Sequence, residues 1–201
     1  MRRVVMTLTA ALLLGATVTG AQALTPTETV KARVEAALRN LSQRPGTTPA
    51  MTEQRRAELR RAADALFDFT EMGRRALGRH WADRTPAERR EFVALFTDLI
   101  ARSYIGKIDQ YAGESIAYTA ERIDGDEASV QSRVTTAKGS QIPVEYRLHR
   151  VDDGWSAYDV FVENVSLVGT YRSQFDRIIR TDSFAGLLQR LRDKGRVADA
   201  R

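Results

Sequence analysis

The chain has 201 residues, of which 43% are hydrophobic and 28% are charged, which is enough apolar material for one globular core. It contains no cysteine, and this excludes disulfides, thiolate nucleophiles and cysteine-ligated metal sites. Only two histidines, His80 and His149, are present for imidazole chemistry. The formal net charge is +5, part of which comes from two arginines at the extreme N-terminus.

The first 23 residues have the three parts of an export signal. Two arginines precede an apolar stretch at 4–18, and residues 21–23 read Ala-Gln-Ala, an A-x-A cleavage pattern. The sequence therefore predicts a signal peptide at 1–23, cleaved after Ala23, and a single mature domain at 24–201. The alternative is a membrane anchor, but the apolar stretch is shorter than the ~20 residues of a spanning helix. Without the two arginines the net charge falls from +5 to +3, and we expect a periplasmic protein.

Four helices are predicted in the first half of the mature chain. The first begins at a capping box, Thr25 to Glu28, and ends at a turn-rich linker, residues 44–49. A charged helix from about residue 52 to 66 and a short one at 67–78 follow. The strongest helical pattern starts at a second capping box, Thr85 to Glu88. Its wide apolar face consists of Phe92, Leu95, Phe96, Leu99, Tyr104, Ile105 and Ile108.

After residue 113 the hydrophobic period changes from about 3.6 to about 2, which indicates strands. Turn signals at 124–126, 138–140 and 152–154 divide this region into four strands, and such short connections join antiparallel neighbours. The fourth strand is apolar on both sides, so we expect both of its faces to be covered. Strict alternation assigns Tyr158, Val160 and Val162 to one side, and Trp155, Ala157 and Phe161 to the other.

Two more apolar-striped segments, at 167–180 and 183–193, predict helices at the C-terminal end. The order of elements predicts an α+β fold. We expect a curved four-stranded antiparallel sheet with several helices packed on one face, enclosing an apolar pocket.

The sequence has no motif of a known catalytic or metal site, so we predict no enzyme activity, no metal and no cofactor. His80 lies at a helix end and His149 on the polar side of a strand, where hydrogen-bonding roles are expected. Asp68, Asp109 and Asp159 lie in apolar stretches, so each is either a base with a raised pKa or a cap or ion-pair partner. The arginines alternate with glutamates on helix faces, which argues against nucleic acid as a partner.

Four segments of the chain resemble the same known protein family. They are Phe67-Asp68, Leu77-Gly78 followed by Trp81, Phe92-x-x-x-Phe96 leading to Tyr104, and above all the run from Tyr158 to Phe175. In these blocks the sequence resembles the MlaC (toluene-tolerance) family of periplasmic phospholipid-binding proteins, over about residues 30–194. Within the last block Asn164 stands where the family commonly has glycine, and Thr170 where it often has asparagine.

The resemblance implies a periplasmic lipid carrier that maintains outer-membrane lipid asymmetry. The implied ligand is a diacyl phospholipid. The implied partners are an outer-membrane lipoprotein–porin complex and the MCE-domain subunit of an inner-membrane ABC transporter. Hopanoid carriers of the same family share the signature, so a hopanoid or another lipid remains an alternative ligand.

A carrier of this kind must shield acyl chains, because each exposed CH₂ costs ~0.8 kcal/mol. We predict that apolar side chains of the strong helix, the sheet and the segment after it line the pocket, with Arg172 as a head-group or partner contact. The predicted lining consists of Leu95, Phe96, Leu99, Tyr104, Val144, Tyr146, Tyr158, Val160, Val162, Val165, Leu167, Val168, Tyr171 and Phe175. For each of these, plain core packing is the alternative. Two other functions stay open: a small cone-shaped enzyme that uses Asp159 as a base on an apolar substrate, and an interaction domain with a filled core.

Overall fold

A computed structural model of the protein describes residues 23–42, 49–108 and 115–199. The helices are α1 Pro26–Ser42, α2 Pro49–Leu66, α3 Phe69–Leu77, the 3₁₀ turn Gly78–Trp81, α4 Pro86–Ile108, α5 Leu167–Thr181 and α6 Phe184–Asp199. The strands are β1 Ser115–Asp124, β2 Glu127–Thr135, β3 Gln141–Val151, β4 Gly154–Val162 and β5 Val165–Ser166.

Both predicted capping boxes form. The Thr25 amide donates to the Glu28 carboxylate at 2.9 Å, and the Glu28 amide donates to the Thr25 hydroxyl at 3.2 Å. Thr85 and Glu88 make the same reciprocal pair at 2.8 and 3.2 Å. These side chains satisfy amides that the first turn of a helix leaves unpaired, which is why α1 and α4 start where the sequence predicts. Of the predicted linker at 44–49, residues 44–48 lie outside the described residues, and Pro49 begins α2.

The sheet is antiparallel with strands in chain order, and it has five strands rather than the predicted four. The additional strand arises from a tight turn at Glu163 and Asn164, whose φ angles are 51° and 66°. The turn folds β5 back onto β4, so that Val165 pairs with Val162. Asparagine tolerates this left-handed conformation better than most residues, so it suits position 164 of the turn.

A bulge in β4 overturns the predicted alternation of that strand. Leu148 pairs with Ala157 whereas Arg147 pairs with Asp159, so Tyr158 is an extra residue with no opposite partner. Beyond the bulge, odd-numbered and even-numbered residues of β4 exchange faces. Ala157 and Val160 therefore lie on the same face, and the prediction that they lie on opposite faces is wrong.

Two apolar clusters cover β4 from its two sides. The first joins α3, α4, α5 and α6 around Phe92, Phe96 and Phe175, and it includes Tyr158 of β4. The second places α1 and the end of α2 against the other face of the sheet, and it includes Ala157 of β4. The second cluster consists of Val30, Leu66, Ala128, Val130, Leu148, Trp155 and Ala157. Both faces of β4 are thus largely covered, except at its end, where Val162 is exposed. The expectation that the helices pack on one face of the sheet is wrong, because helices lie on both faces.

None of the helices in the part of the chain that the structure describes is long and apolar enough to cross a membrane.

Candidate functional site

The second cluster covers only part of its sheet face. Across the sheet, Val130 and Leu148 are buried beneath α1, and Leu66 at the end of α2 packs beside them. Toward the other end of the strands, the same face continues in two further rows of side chains that belong to neither cluster core. One row crosses all five strands as Tyr118, Ser132, Val144, Val162 and Val165, and the next consists of Ile116, Val134 and Ile142.

We call these two rows the open face. Val162 and Val165 are 45% and 62% exposed, and they lie side by side as a cross-strand pair of β4 and β5. Val144 and the side chains of the second row are half-buried. A contiguous apolar surface of this kind marks a binding site for an apolar partner more often than scattered exposed residues do.

Five of the predicted lining residues belong to the open face or border it. Val144, Val162 and Val165 lie in its first row, and Tyr146 and Val160 form the adjacent row next to the second cluster. Tyr146 packs against that cluster, and burial raises the pKa of its phenol to about 12. The β4 bulge brings Val160 and Val162 to this face together with Val144.

Four other predicted residues are buried in the helical cluster. Phe96 stacks on Phe92 with ring centroids 5.7 Å apart and meets Phe175 edge-on at 5.4 Å. Val168 and Tyr158 are also buried in this cluster. These four side chains pack in the core and do not line a pocket, because they fill the space that joins α4 and α5 to the sheet.

The remaining five apolar candidates are half-buried. Leu95, Leu99, Leu167 and Tyr171 pack on the helical cluster from outside. Tyr104 is half-buried on α4, and burial, with Tyr171 nearby, raises the pKa of its phenol.

The structure also has a cleft of about 270 Å³ between α4, α5 and α6. Of the predicted lining, only Leu99 and Phe175 contribute to it, and Gln174, Arg190 and Asp193 give it polar lining as well. This cleft does not contain the predicted sheet residues. The enclosed apolar pocket therefore stays a prediction, for which the open face is the candidate wall.

Tyr158 belongs to a charged network and not to the open face. The Arg75 guanidinium lies 3.6 Å from its ring centroid, and its hydroxyl donates to Glu127 at 3.3 Å. Arg75 also binds Glu71 and Glu127, at 2.7 and 2.9 Å. Hydrogen bonds from Arg74 and Arg75 lower the pKa of the Glu71 carboxyl to about 2, against the burial that opposes this shift. The network fixes α3 to the sheet.

Arg172 lies against the end of α3. A Cβ atom built on Gly78 would lie 2.8 Å from Nε of Arg172, so the guanidinium rests directly on the backbone there. Gly78 has a φ of +53°, and it ends α3 by donating its amide to the Arg74 carbonyl. The observed contact of Arg172 is thus between α5 and the end of α3, and a role at a head group stays a prediction.

The carboxylates that were candidate bases have structural partners. Asp159 accepts hydrogen bonds from the Val160 and Val168 amides, at 2.8 and 3.0 Å, and from the Ser166 hydroxyl at 2.6 Å. Both of its oxygens therefore hold the start of α5 to β4, and neither is available as a base in this arrangement. Asp68 caps α3 through the Glu71 amide at 2.9 Å.

The histidines are likewise engaged. His149 pairs with Asp68 at 3.1 Å, and His80 pairs with Asp176 of α5 at 2.9 Å. Asp109 lies outside the described residues. Within residues 23–42, 49–108 and 115–199, no three metal-ligating side chains cluster.

Sequence reasoning missed the β1 part of the open face. Ile116 and Tyr118 belong to it, but a register shift between Tyr118 and Ala120 interrupts the alternation of β1. Beyond the shift, the charged Glu121 lies on this face, so β1 shows no continuous apolar alternation. Val134 and Ile142, which pair across β2 and β3, also belong to the open face and are absent from the predicted lining.

Comparison with known proteins gives two results. A sequence model of the MlaC protein family matches residues 31–193. A phospholipid-binding protein from Ralstonia solanacearum, solved in complex with a phospholipid, has a similar structure with a TM-score of 0.73 and 25% sequence identity. That similarity covers 85% of this chain and 97% of the other.

Proposed function

Because the chain belongs to the MlaC family, we propose that it is a lipid carrier that binds the acyl chains of a diacyl phospholipid against the open face. The observation that carries this proposal is the pair Val162 and Val165, which remain exposed on the open face beside half-buried apolar side chains. The phospholipid bound by the Ralstonia solanacearum protein supports the same ligand class.

The energetic basis is the shielding of hydrocarbon from water. Each CH₂ transferred from water to an apolar surface contributes ~0.8 kcal/mol, so an acyl chain favours a site such as the open face over free solution. The valines of this face offer no hydrogen-bonding groups, and binding by them depends on shape and apolar area alone. Affinity for the chains therefore requires no reacting group, which fits a carrier rather than an enzyme.

The route of transport is part of the proposal. The signal-like residues 1–23 and the family suggest that the mature domain works in the periplasm. There it would accept lipid from an outer-membrane lipoprotein–porin complex and exchange it with the MCE-domain subunit of an inner-membrane ABC transporter. This exchange would maintain the lipid asymmetry of the outer membrane.

The competing functions differ in what they require of the structure. The alternative enzyme needs Asp159 as a free base, whereas both oxygens of Asp159 hold the β4–α5 junction. An interaction domain with a filled core needs covered apolar side chains, whereas Val162 and Val165 are exposed. A hopanoid or another lipid would use the same open face, so the lipid class requires a separate argument.

Native mass spectrometry of the protein purified from cells without detergent tests the proposal. We expect the wild type to carry phospholipid. A Val165→Glu variant is expected to fold normally, because the side chain is exposed, and to lose the lipid, because a charge cannot be buried against an acyl chain. Val151→Glu is the matched control, since Val151 is an exposed valine at the end of β3, outside the open face. Wild-type protein that carries no lipid, or equal lipid loss in both variants, would contradict the proposal.

A further inference from the structure

The β4–β5 turn holds a residue type that its backbone conformation disfavours. Glu163 has a φ angle of 51°, in the left-handed region that glycine, asparagine and aspartate tolerate and longer side chains rarely adopt. Asp152 and Asn164 also have left-handed φ angles, but they belong to the tolerated types. Backbone strain of this kind is concentrated at functional sites, so a strained residue is a reason to ask what its side chain does.

The turn closes the β4 end of the open face. The Glu163 amide donates to the Pro143 carbonyl at 3.0 Å, next to Ile142 of the second row. The two exposed valines, Val162 and Val165, pair across the strands that the turn connects. Glu163 is itself exposed. Its carboxylate is therefore a charge in water, one residue away from the most exposed part of the apolar surface.

The two ends of the open face differ in how their carboxylates are neutralised. At the β1 end, Glu35 of α1 lies near Tyr118, and it pairs with Lys31 at 4.0 Å and with Arg39 at 3.6 Å. At the β4 end, the Glu163 carboxylate has no hydrogen bond or ion pair with any residue of 23–42, 49–108 and 115–199. The charge of Glu163 is thus available to a ligand, whereas that of Glu35 is already balanced.

A bound phospholipid has to leave its head group at a border of the apolar surface. A charged group is costly to bury, so acyl chains that cover Val162 and Val165 keep the phosphate and its substituent in water beside them. Arg133 and Lys138 lie toward the same end of the sheet, on β2 and in the β2–β3 turn. These cations can meet the phosphate that all phospholipids share, so they do not discriminate among head groups. The carboxylate of Glu163 can.

We infer that Glu163 binds the ammonium group of the lipid head group, and so makes the carrier prefer phospholipids with an ammonium group to those with a net negative charge. The inference rests on the proposed function. A carboxylate accepts charge-assisted hydrogen bonds from an ammonium group, such as that of phosphatidylethanolamine. It repels the net negative charge of phosphatidylglycerol, whose head group ends in neutral hydroxyls. The side chain that the turn conformation disfavours is thus the one that selects the ligand.

Competition between two phospholipids with identical acyl chains tests this role. Delipidated protein is incubated with vesicles of equal parts phosphatidylethanolamine and phosphatidylglycerol, and the lipid extracted from the re-isolated protein is quantified by mass spectrometry. We expect the wild type to favour phosphatidylethanolamine about 3-fold, because a solvent-exposed ion pair contributes little free energy. In about 0.5 M salt the preference should fall toward equal loading, because salt screens exposed charges.

Glu163→Gln keeps the length of the side chain and removes its charge, so it is expected to load the two lipids equally with total loading preserved. Asp152→Asn is the matched control. Asp152 is an exposed carboxylate with a φ angle of 48°, in the turn at the opposite end of β4, and its variant should keep the wild-type ratio. Glu163→Asn should also lose the preference. Its delipidated form should have a higher thermal midpoint than the wild type, because asparagine suits the left-handed turn.

The outcomes separate this inference from the proposed function. Equal loading of both lipids by the wild type at low salt, or a preference that Glu163→Gln keeps or that Asp152→Asn loses, would overturn the role of Glu163 and leave lipid carriage intact. A lower thermal midpoint of Glu163→Asn would contradict the strain from which the inference starts. A wild type that loads neither lipid would overturn the carrier function itself, and this inference with it.

Discussion

The helical cluster and the open face are built from similar residues and differ in what covers them. In the cluster, Phe92, Phe96 and Phe175 pack ring against ring and are excluded from water. On the open face, Val162 and Val165 have the same apolar character but stay exposed. The comparison shows that hydrophobicity alone does not distinguish a core that stabilises the fold from a surface that binds a ligand. The presence or absence of a covering element does.

This difference predicts opposite consequences for truncation in the two regions. Phe96→Ala is expected to lower the free energy of unfolding by about 3–5 kcal/mol, since it opens a cavity in a close-packed cluster. Val162→Ala should cost less than about 1 kcal/mol, because a half-exposed valine loses little packing. Urea denaturation of both delipidated proteins measures the two costs. Equal losses would mean that the open face is part of the core, and the distinction would fail.

Asp159 lies at the junction of the two regions. It holds the start of α5, which leads into the helical cluster, to β4, which leads to the open face. Asp159→Ala leaves the buried Val168 amide without its acceptor, and we expect the free energy of unfolding to fall by about 2–3 kcal/mol. Asp153→Ala, in the exposed β3–β4 turn, is the control and should change stability by less than about 0.5 kcal/mol. Similar stabilities of the two variants in urea would show that Asp159 does not connect the regions.

The charged network around Glu71 lies where α3 meets the sheet, away from the open face. Its contribution to the stability of the fold should depend on pH. The pKa of this carboxyl is about 2 in the folded protein and 4.5 ordinarily, so its contribution to stability is present above pH 5 and is lost as the pH falls toward 2. We expect this loss to be about 1 kcal/mol, since solvent screens a partly exposed pair. Unfolding measured from pH 7 to pH 2 should show a steeper decline for the wild type than for Glu71→Gln. Parallel curves would contradict the assignment.

Much of the fold is predictable because the signals for it are local. Capping boxes at Thr25 and Thr85 set the starts of two helices, and Gly125 and Gly139 occupy turns that need positive φ angles. Such signals depend on a few neighbouring residues. The antiparallel order of the strands follows from the short turns between them.

The bulge and the fifth strand were not predictable in the same way. Nothing in the local sequence around Tyr158 marks it as the extra residue of a bulge, because a bulge is defined by how β4 pairs with β3. β5 has two residues and is defined by its pairing with Phe161 and Val162 of β4. An error at one bulge reverses the assigned face of every residue beyond it, which is why the predicted sides of β4 were wrong.

The site was predicted only in part for a related reason. The sequence indicates that Val162 and Val168 are both apolar, but burial of the first depends on whether a helix lies over it. The structure shows Val168 in the core and Val162 exposed. Tyr118 escaped prediction because the irregular register of β1 hides its face.

Photo-crosslinking on the sheet tests most directly whether the open face holds acyl chains. A photoreactive phenylalanine analogue is placed at Val162, and in a second protein at Val151, and each is irradiated in cells before purification. The account predicts a covalent phospholipid adduct, detected by mass, at Val162 and none at Val151. An adduct at Val151 alone, or no adduct at Val162 in protein that still carries lipid, would contradict it.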